Sequence, residues 1–284
     1  MMTTEHILIA YGHQLGYYNG AKYQILKNWA KYYSAPDSGI CVVTDTPKLF
    51  DGYPVRVLQL TDDQVKHWSL DGRAHFGIKL KSLEWAAITS KANKIILLDT
   101  DMCWIHNPRR CVKLINEKTF VLYRNEGHVI GSPNRSTQRF EEGLMNKTFL
   151  FDETCYKLSR DSQMFGSAII GFAAQNHRFL NNAFELFKVL TPEVKAHTVE
   201  QFALSEILRL NNLKVYAARR FVTSWSSIGR KNYATPILQD FFNQHATDSF
   251  EQQQRLVKYV DIRRPFSELI KQKYLRWKNK RSRF

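Results

Sequence analysis

The chain has 284 residues, of which 44% are apolar and 24% charged, proportions ordinary for a soluble globular protein, and its net charge is +15. No apolar run approaches the roughly 18 residues of a membrane span, and the N-terminal segment lacks a signal-peptide pattern. These patterns argue against a membrane-spanning or secreted protein, so we expect a cytoplasmic one. Four scattered cysteines without C-x-x-C spacing predict reduced thiols rather than a zinc site.

Strand and helix patterns alternate over the first hundred residues. A helix is predicted around 25–33, where apolar side chains recur at the i, i+4, i+7 spacing, and a second helix over 79–90. Short apolar runs predict strands, at 6–11, 40–44, 55–60 and 95–98. This alternation predicts an α/β fold with a single Rossmann-like, mostly parallel sheet flanked by helices.

The remainder of the chain has fewer regular patterns. Strands are predicted at 119–123, 166–173 and 214–216, with helices over about 179–187 and after an N-cap at Thr198. The polar, glycine-containing stretch 124–156 has no clear period, and we predict a binding loop there. Because no repeat or linker interrupts the pattern, we expect one domain over 1–254.

Two carboxylates, Asp99 and Asp101, directly follow the apolar strand at 95–98. Open α/β sheets bind ligands at the carboxyl ends of their strands, and carboxylate oxygens are ligands that Mg²⁺ and Mn²⁺ prefer. The pair is therefore a candidate metal site. The alternative is a pair of loop aspartates that cap a following helix.

Residues 40–108 resemble the donor-binding half of glycosyltransferases with the A-type fold. The matching segments are, in order, VVTDTPKLFDGYPV, IKLKSLEWA and KIILLDTDMCWIHNP. The resemblance implies that Asp99 and Asp101, an Asp-x-Asp (DXD) pair, bind Mn²⁺ or Mg²⁺ and the diphosphate of a nucleotide sugar. It also implies that a lysine of the preceding helix, Lys79 or Lys81, lies near the donor. The alternative for these lysines is a solvated helix face.

Two further segments resemble glycosyltransferase family 8, which includes glycogenin and the bacterial lipooligosaccharide galactosyltransferases. FGSAIIGF is similar to the strand that faces the donor sugar, which implies donor contacts at Gly166 and Ser167, although the family has Asn in place of Gly166. EQFALS resembles an Asp-Gln-Asp-x-Leu-Asn motif. By that resemblance Gln201 lies near the anomeric carbon and Glu200 binds donor hydroxyls or tunes the site. If the reaction inverts, Glu200 or another carboxylate acts as general base. The alternative is an exposed helix start.

Family 8 enzymes carry a third metal ligand, a histidine in a His-x-x-Gly-x-x-Lys-Pro-Trp motif that this chain lacks. His245 is the candidate for that role, with an ordinary surface or core histidine as the alternative. Arg230 and Lys231 are candidates for neutralising the leaving diphosphate. Tyr11 ends the first predicted strand, where it would either stack on the nucleobase or serve as a core aromatic.

The C-terminal tail, residues 255–284, holds eleven Lys or Arg against two acids and so carries +9 of the net charge. Its apolar residues, among them Phe266, Tyr274 and Trp277, fall on one helical stripe between the basic ones. This pattern predicts a basic amphipathic helix. Such a helix could lie on an anionic membrane, bind nucleic-acid phosphates, or pack its stripe on the domain.

We therefore expect a metal-dependent glycosyltransferase with a donor half over about 1–123, an acceptor half over about 124–254 and a basic tail. A UDP-sugar is the expected donor, and a cell-surface or lipid-linked glycan at the inner face of an anionic membrane is the expected acceptor. One alternative keeps the donor and changes the acceptor to modified bases of DNA, as in phage enzymes. The other is a non-catalytic protein that binds nucleotide sugars or nucleic acid.

Overall fold

The computed structural model describes residues 3–267 and residue 270. They form an α/β fold with a seven-stranded, mostly parallel central sheet flanked by helices, which confirms the predicted fold class. The strands are β1 (Thr4–Ala10), β2 (Ser38–Thr44), β3 (Arg56–Gln59), β4 (Lys94–Leu98), β5 (Met102–Trp104), β6 (Thr119–Leu122), β7 (Asn125–His128), β8 (Phe149–Phe151), β9 (Thr154–Tyr156), β10 (Gln163–Phe165), β11 (Ile169–Ala173), β12 (Lys214–Ala217) and β13 (Val222–Ser224). The α-helices are α1 (Leu15–Asn28), α2 (Asp62–Trp68), α3 (Gly77–Thr89), α4 (Arg109–Val112), α5 (Arg135–Leu144), α6 (Arg178–Leu190), α7 (Val199–Leu210), α8 (Ile228–Gln244) and α9 (Phe250–Leu256).

The central sheet has the strand order β12-β6-β11-β4-β1-β2-β3. Strand β11 runs antiparallel to β4 and β6, whereas the other pairings in this sheet are parallel. The carboxyl ends of β1, β2 and β4 therefore lie at one edge, which we call the carboxyl edge. The start of β11 lies there too, because Ile169 pairs with Leu98. Open α/β sheets bind their ligands at this edge.

Strand β4 is wholly apolar after its first residue because both faces of the sheet are covered. Ile95 and Leu97 belong to a hydrophobic core formed with α3, α6 and α7. Ile96 and Leu98 belong to the core on the opposite face, which α1 covers. Burial of each side chain contributes roughly 1.5–3 kcal/mol, so these four residues hold the end of β4 firmly in place.

The predicted loop over 124–156 is wrong, because the structure has β7, α5 and the β8–β9 hairpin there. The Asn134 side chain caps α5 by accepting a hydrogen bond from an amide of its first turn. Only Thr137, Phe140 and Leu144 of α5 are buried. Phe140 and Leu144 are its only buried apolar residues, and two residues are too few to show a helical repeat in the sequence.

The predicted strand over 166–173 is shorter than expected, since β11 begins at Ile169. Residues 166–168 instead link β10 to β11 at the carboxyl edge, and the carbonyl of Ala168 accepts a hydrogen bond from the Asp99 amide at 3.0 Å. This bond fixes the link beside the first residue after β4.

Much of the predicted basic tail lies outside the described residues. Within them, Val257 and Ile262 are buried in a third hydrophobic cluster with Trp225 and side chains of α1 and α8. No helix in the described part of the chain has both the length and the apolar character needed to cross a lipid bilayer.

A buried histidine in β1 makes the stability of the fold depend on pH. His6 is 4% exposed, and its ring lies 4.6 Å from that of Tyr33 and 6.4 Å from that of Trp104, centroid to centroid. Burial lowers the pKa of His6 to about 3. Because the pKa of an unfolded His is about 6.5, the unfolded chain binds this proton below that pH and the folded chain does not. The fold therefore loses stability as pH falls from about 6.5 towards 3.

We expect His6→Leu to reduce the acid sensitivity of the fold. At pH 4.5 the wild-type penalty from this residue is about 3 kcal/mol, and the variant lacks it. Urea unfolding at pH 7.5 and pH 4.5 measures the difference. His67→Gln, which alters an exposed histidine, is the control and should keep the wild-type pH dependence. Equal pH dependence in all three proteins would show that His6 does not stay neutral in the fold.

Candidate functional site

The carboxyl edge gathers titratable side chains from separate parts of the chain. Asp99 and Asp101 follow β4, Lys79 comes from the first turn of α3, Ser167 precedes β11 and Glu200 lies in the first turn of α7. We call these five residues the edge cluster. The strand order brings the two aspartates and Ser167 together because β4 and β11 are neighbours in the sheet, and the first turns of α3 and α7 add Lys79 and Glu200.

Lys79 forms a close ion pair with Asp99. Its Nζ lies 2.8 Å from Oδ1 and 3.1 Å from Oδ2 of that carboxylate, and the side chain of Lys79 is only 11% exposed. Burial alone would lower the pKa of Lys79, but attraction to Asp99, Glu200 and Asp101 outweighs it and raises this pKa. The edge cluster therefore contains a buried, positively charged ammonium group.

Glu200 lies on the other side of this ammonium group. Its Oε1 accepts a hydrogen bond from Ser167 Oγ at 2.9 Å, and Lys79 Nζ lies 3.4 Å from the same Oγ. The second oxygen, Oε2, is buried without a hydrogen-bond partner. Burial raises the pKa of Glu200 to about 7, which Lys79 and the Ser167 hydrogen bond only partly offset. Glu200 is thus a buried carboxyl group that can exchange a proton near neutral pH.

Asp101 completes a turn that brings the second carboxylate to the same site. The amide of Met102 donates to the Asp99 carbonyl at 3.1 Å, and the amide of Trp225 donates to the Asp101 carbonyl at 3.0 Å. Burial, followed by the negative charge of Asp99, raises the pKa of Asp101 to about 6, against the opposing effects of Lys231 and Lys79. The turn therefore holds two neighbouring carboxyl groups, of which Asp99 has a close lysine partner and Asp101 only a distant one.

Helix α1 packs directly on the turn. Gln24 donates from Nε2 to the Asp99 carbonyl at 2.6 Å. A Cβ at Gly20 would lie 2.2 Å from the Thr100 carbonyl oxygen, so only glycine allows this close approach. The turn is held between α1 and the end of β4.

We expect Gly20→Ala to displace the turn and to cost up to about 3 kcal/mol of stability, as an overpacked core contact does. Gly16→Ala in the same helix is the matched control, since its Cβ would meet Thr235 at an ordinary 3.5 Å. The control should change stability by less than about 1 kcal/mol, because alanine favours a helix. Chemical denaturation of both variants measures the difference, and similar stabilities would mean that α1 does not press on the turn.

Tyr11, which was a predicted candidate, lies beside the edge cluster together with Asp45 and Tyr18, which we did not predict. Asp45, directly after β2, accepts hydrogen bonds from the Gly12 amide at 2.8 Å and from the Tyr18 hydroxyl. Tyr11 donates its hydroxyl to the His75 carbonyl at 3.0 Å. Burial, Tyr17 and then the nearby carboxylates, including Glu200 and Asp99, raise the pKa of Tyr11. An aspartate at the end of a parallel strand was the signal that could have identified Asp45.

Lys231, from α8, reaches the site less closely than Lys79. Its Nζ lies 3.9 Å from Asp101 Oδ2 and 4.9 Å from the centre of the Tyr17 ring. Arg230 instead donates to the Ser224 carbonyl at 2.9 Å. Of the two basic residues, the structure brings Lys231 towards the carboxylates.

The structure does not bring Lys81 to the edge cluster. Lys81 is paired with Glu84 and donates to Asn181 Oδ1 at 3.0 Å, so it joins α3 to α6. Side chains two positions apart on a helix point in very different directions, and Lys79 takes the inward position.

His245 is also held away from the carboxylates. It ends α8, where Nδ1 contacts Asp248 Oδ2 at 2.8 Å and the ring lies 4.9 Å from that of Phe241. No group of three or more His, Cys, Asp or Glu that could hold a metal ion occurs in the described residues. The structure therefore gives His245 local partners at the α8–α9 junction and does not group it with Asp99 and Asp101, and its role as a third ligand stays a prediction.

Gly166 and Gln201 flank the edge cluster in sequence. The Gly166 amide and carbonyl are both hydrogen-bonded, to Arg124 and Tyr123, and a Cβ there would lie 3.2 Å from Glu126 Oε1. Gln201 is 8% exposed, and its carbonyl accepts a hydrogen bond from Ser205 Oγ at 2.6 Å. Gly166 and Gln201 therefore adjoin Ser167 and Glu200, the two residues of the edge cluster that are hydrogen-bonded to each other.

The carboxylate oxygens of Asp99 and Asp101 partly fit the ligand requirements of a divalent metal ion. Asp101 offers a carboxylate whose pKa is raised by burial and then by Asp99, and Lys231 is too distant for a direct hydrogen bond. Asp99 would have to share its oxygens with Lys79. Two carboxylates are fewer ligands than Mg²⁺ or Mn²⁺ requires, so oxygen atoms of a bound diphosphate and water would supply the rest.

Comparison with known proteins adds no family assignment: no protein-family model and no curated protein matches the chain.

Proposed function

We propose that the chain is a glycosyltransferase of the A-type fold that uses a nucleoside diphosphate sugar, with UDP-sugar as the favoured donor. One observation carries the proposal: a buried lysine, two carboxylates at a strand end and a buried carboxyl group of pKa about 7 converge at the carboxyl edge. Carboxylates that would hold a metal ion, and a lysine that adds positive charge, suit the departure of a diphosphate. The resemblance of residues 40–108 to this enzyme class supports the same assignment.

Asp101 and Asp99 would hold Mn²⁺ or Mg²⁺, which supplies positive charge to the departing diphosphate. Lys79 and Lys231 add fixed positive charge from the protein, and burial strengthens the effect of Lys79. In the transfer, an acceptor hydroxyl oxygen bonds to the anomeric carbon while the bond from that carbon to the diphosphate breaks. Glu200 is positioned to accept the hydroxyl proton or to bind donor hydroxyls, and Ser167 orients it.

The nucleoside would lie beside the tyrosines near β1 and β2. Tyr11 offers a partly exposed aromatic ring, and Asp45 is an acceptor for ribose hydroxyl groups. Gly166 and Gln201 would lie next to the donor sugar, since they adjoin Ser167 and Glu200 in sequence.

The acceptor is proposed from charge. A net charge of +15 favours an anionic partner, either a lipid-linked or cell-surface glycan at the inner face of a membrane or modified DNA. Co-sedimentation with anionic vesicles and retention on duplex DNA, each at two salt concentrations, would separate the two.

A thermal-shift screen of UDP-, GDP-, ADP- and dTDP-sugars, with Mn²⁺ and with EDTA, tests the proposal. We expect one or more UDP-sugars to raise the melting temperature, and the rise to depend on the metal ion. If no nucleotide sugar stabilises the protein under either condition, the proposed function is wrong. Binding without hydrolysis or transfer would instead favour a non-catalytic binding protein.

A further inference from the structure

A separate cleft of about 390 Å³ opens beside the edge cluster. It lies between the N-terminal ends of α3 and α7 and the C-terminal end of α6, and we call it the helix-end cleft. Its lining includes Arg73, His75, Phe76, Phe187, Lys195 and His197. The proposed donor roles use none of these side chains.

Residues that line the helix-end cleft contact residues at or beside the edge cluster. His75 accepts the hydrogen bond of the Tyr11 hydroxyl, and the Phe76 ring lies 5.7 Å from Lys79 Nζ. On the opposite wall, the lining residue Val199 immediately precedes Glu200. Lys79 and Glu200 do not themselves line the cleft, and the Phe76 side chain separates Lys79 from it. A molecule in the cleft would therefore lie one side chain away from the edge cluster, which is a place for a second substrate.

The cleft is basic. Arg73 and Lys195 line it together with two histidines, and no Asp or Glu is among the described lining residues. The nearest acids already have partners. Asp71 lies 3.9 Å from Arg73, and Glu193 pairs with Lys147 at 2.7 Å. Arg73 also donates from Nε to the Leu70 carbonyl at 2.8 Å, but its side chain is 72% exposed, so its remaining guanidinium N–H groups can meet an anionic group of a ligand.

The cleft also has an apolar wall. Phe76 is 39% exposed, and its ring lies 6.2 Å from that of His197, while Phe187 and Val194 form the base. Exposed aromatic rings pack well on the apolar faces of flat or cyclic ligands. The cleft thus combines an anion-binding rim with a surface suited to a sugar ring.

We propose that the helix-end cleft binds the acceptor, and that this acceptor is a phosphorylated saccharide. The proposal rests on the proposed function, because it places the acceptor hydroxyl next to the edge cluster. A cavity of about 390 Å³ suits a small saccharide with a phosphate group and is too small for duplex DNA. A soluble sugar phosphate and a lipid-linked sugar diphosphate share this chemistry.

Isothermal titration tests the cleft directly, with glucose 6-phosphate, glucose and inorganic phosphate as probes and UDP and Mn²⁺ present in excess. We expect saturable binding of glucose 6-phosphate that is stronger than that of either half alone. Arg73→Gln and Lys195→Gln should each weaken it about tenfold, the loss of one charged hydrogen bond. Lys118→Gln, which changes an exposed lysine before β6, is the matched control and should have no effect.

Absence of saturable binding, or equal affinities in all variants, would overturn the proposal. Inorganic phosphate that binds as tightly as the sugar phosphate would overturn the saccharide part. A prenyl diphosphate-linked sugar forms a second arm, and tighter binding of it would identify a lipid-linked acceptor. The thermal-shift screen of nucleotide sugars separates the two proposals. If a UDP-sugar binds but the cleft binds no glucose 6-phosphate, the proposed function stands and the cleft proposal fails. Cleft binding without donor binding removes the proposed function and keeps the cleft as a saccharide-phosphate site.

Discussion

Asp101→Asn should abolish metal-dependent donor binding and at the same time make the metal-free protein more stable. The carboxylate would be a direct ligand of the metal ion, so its loss should lower kcat by 100-fold or more. Without metal, the ionised carboxylate destabilises the fold, because burial and Asp99 raise its pKa to about 6. An asparagine of the same size avoids the buried charge.

The stability gain has a defined pH dependence. Because the folded pKa is raised above the unfolded value of 3.8, ionised Asp101 costs stability as pH rises from about 4 to 6, and the cost is complete above that. At pH 8 with EDTA, we expect Asp101→Asn to gain about 2 kcal/mol, or a few degrees in melting temperature. The gain should vanish near pH 4.

Scanning calorimetry at pH 8 and pH 4 measures the stability, and UDP-sugar hydrolysis with Mn²⁺ measures the activity. Asp240→Asn, an exposed aspartate of α8, is the matched control and should change neither. An Asp101→Asn protein that loses stability at pH 8, or that keeps its metal-dependent activity, would contradict the role given to Asp101.

The sequence predicts the parts of the site that follow from strand ends. A wholly apolar strand followed by Asp99 locates the carboxyl edge, because parallel strands bring their ends together there. Ser167 and Glu200 were predicted from the family resemblance. The β4–β11 pairing brings Ser167 towards Asp99, and the first turn of α7 brings Glu200 within 2.9 Å of Ser167. Asp45 was missed, although it follows β2 in the same way that Asp99 follows β4.

Other features depend on tertiary contacts that no local pattern contains. Lys81, unlike Lys79, is directed away from the edge cluster, where its ammonium group donates to Asn181 of α6. His245 is fixed by Asp248 at the end of α8, and a lone histidine in a sequence carries no sign of such a partner. Helix α5 was not predicted because only three of its ten residues are buried and only two of those three are apolar. The helix-end cleft is formed by the ends of three helices that are distant in sequence.

Lys79→Met should be among the most destabilising substitutions at the carboxyl edge. It leaves Asp99 without its ion-pair partner and removes the nearest positive charge from Glu200. Removing one partner of a buried ion pair commonly costs 3–5 kcal/mol, and because the Asp99 side chain is 30% exposed we expect about 3 kcal/mol. Addition of Asp99→Asn in the double variant should recover most of the loss, since it removes the unpaired carboxylate.

Lys81→Met is the matched control in the same helix. Its ammonium group pairs with Glu84 within α3 and donates to Asn181 of α6, but it is more exposed than Lys79, so we expect a loss of about 1–2 kcal/mol. Urea unfolding of the three variants and the wild type measures these differences. Equal losses for Lys79→Met and Lys81→Met would mean that the buried ion pair has no special role.

The same variants test whether Lys79 and the metal ion compete for Asp99. In the wild type, Lys79 contacts both carboxylate oxygens, so a metal ion must displace or share them. Mn²⁺ should therefore stabilise Lys79→Met by more than it stabilises the wild type, although donor turnover falls because the diphosphate loses a fixed positive charge. A larger Mn²⁺ shift with lower turnover would show that Lys79 acts on the diphosphate and restrains metal binding at Asp99. An unchanged Mn²⁺ shift would place the metal ion on Asp101 alone.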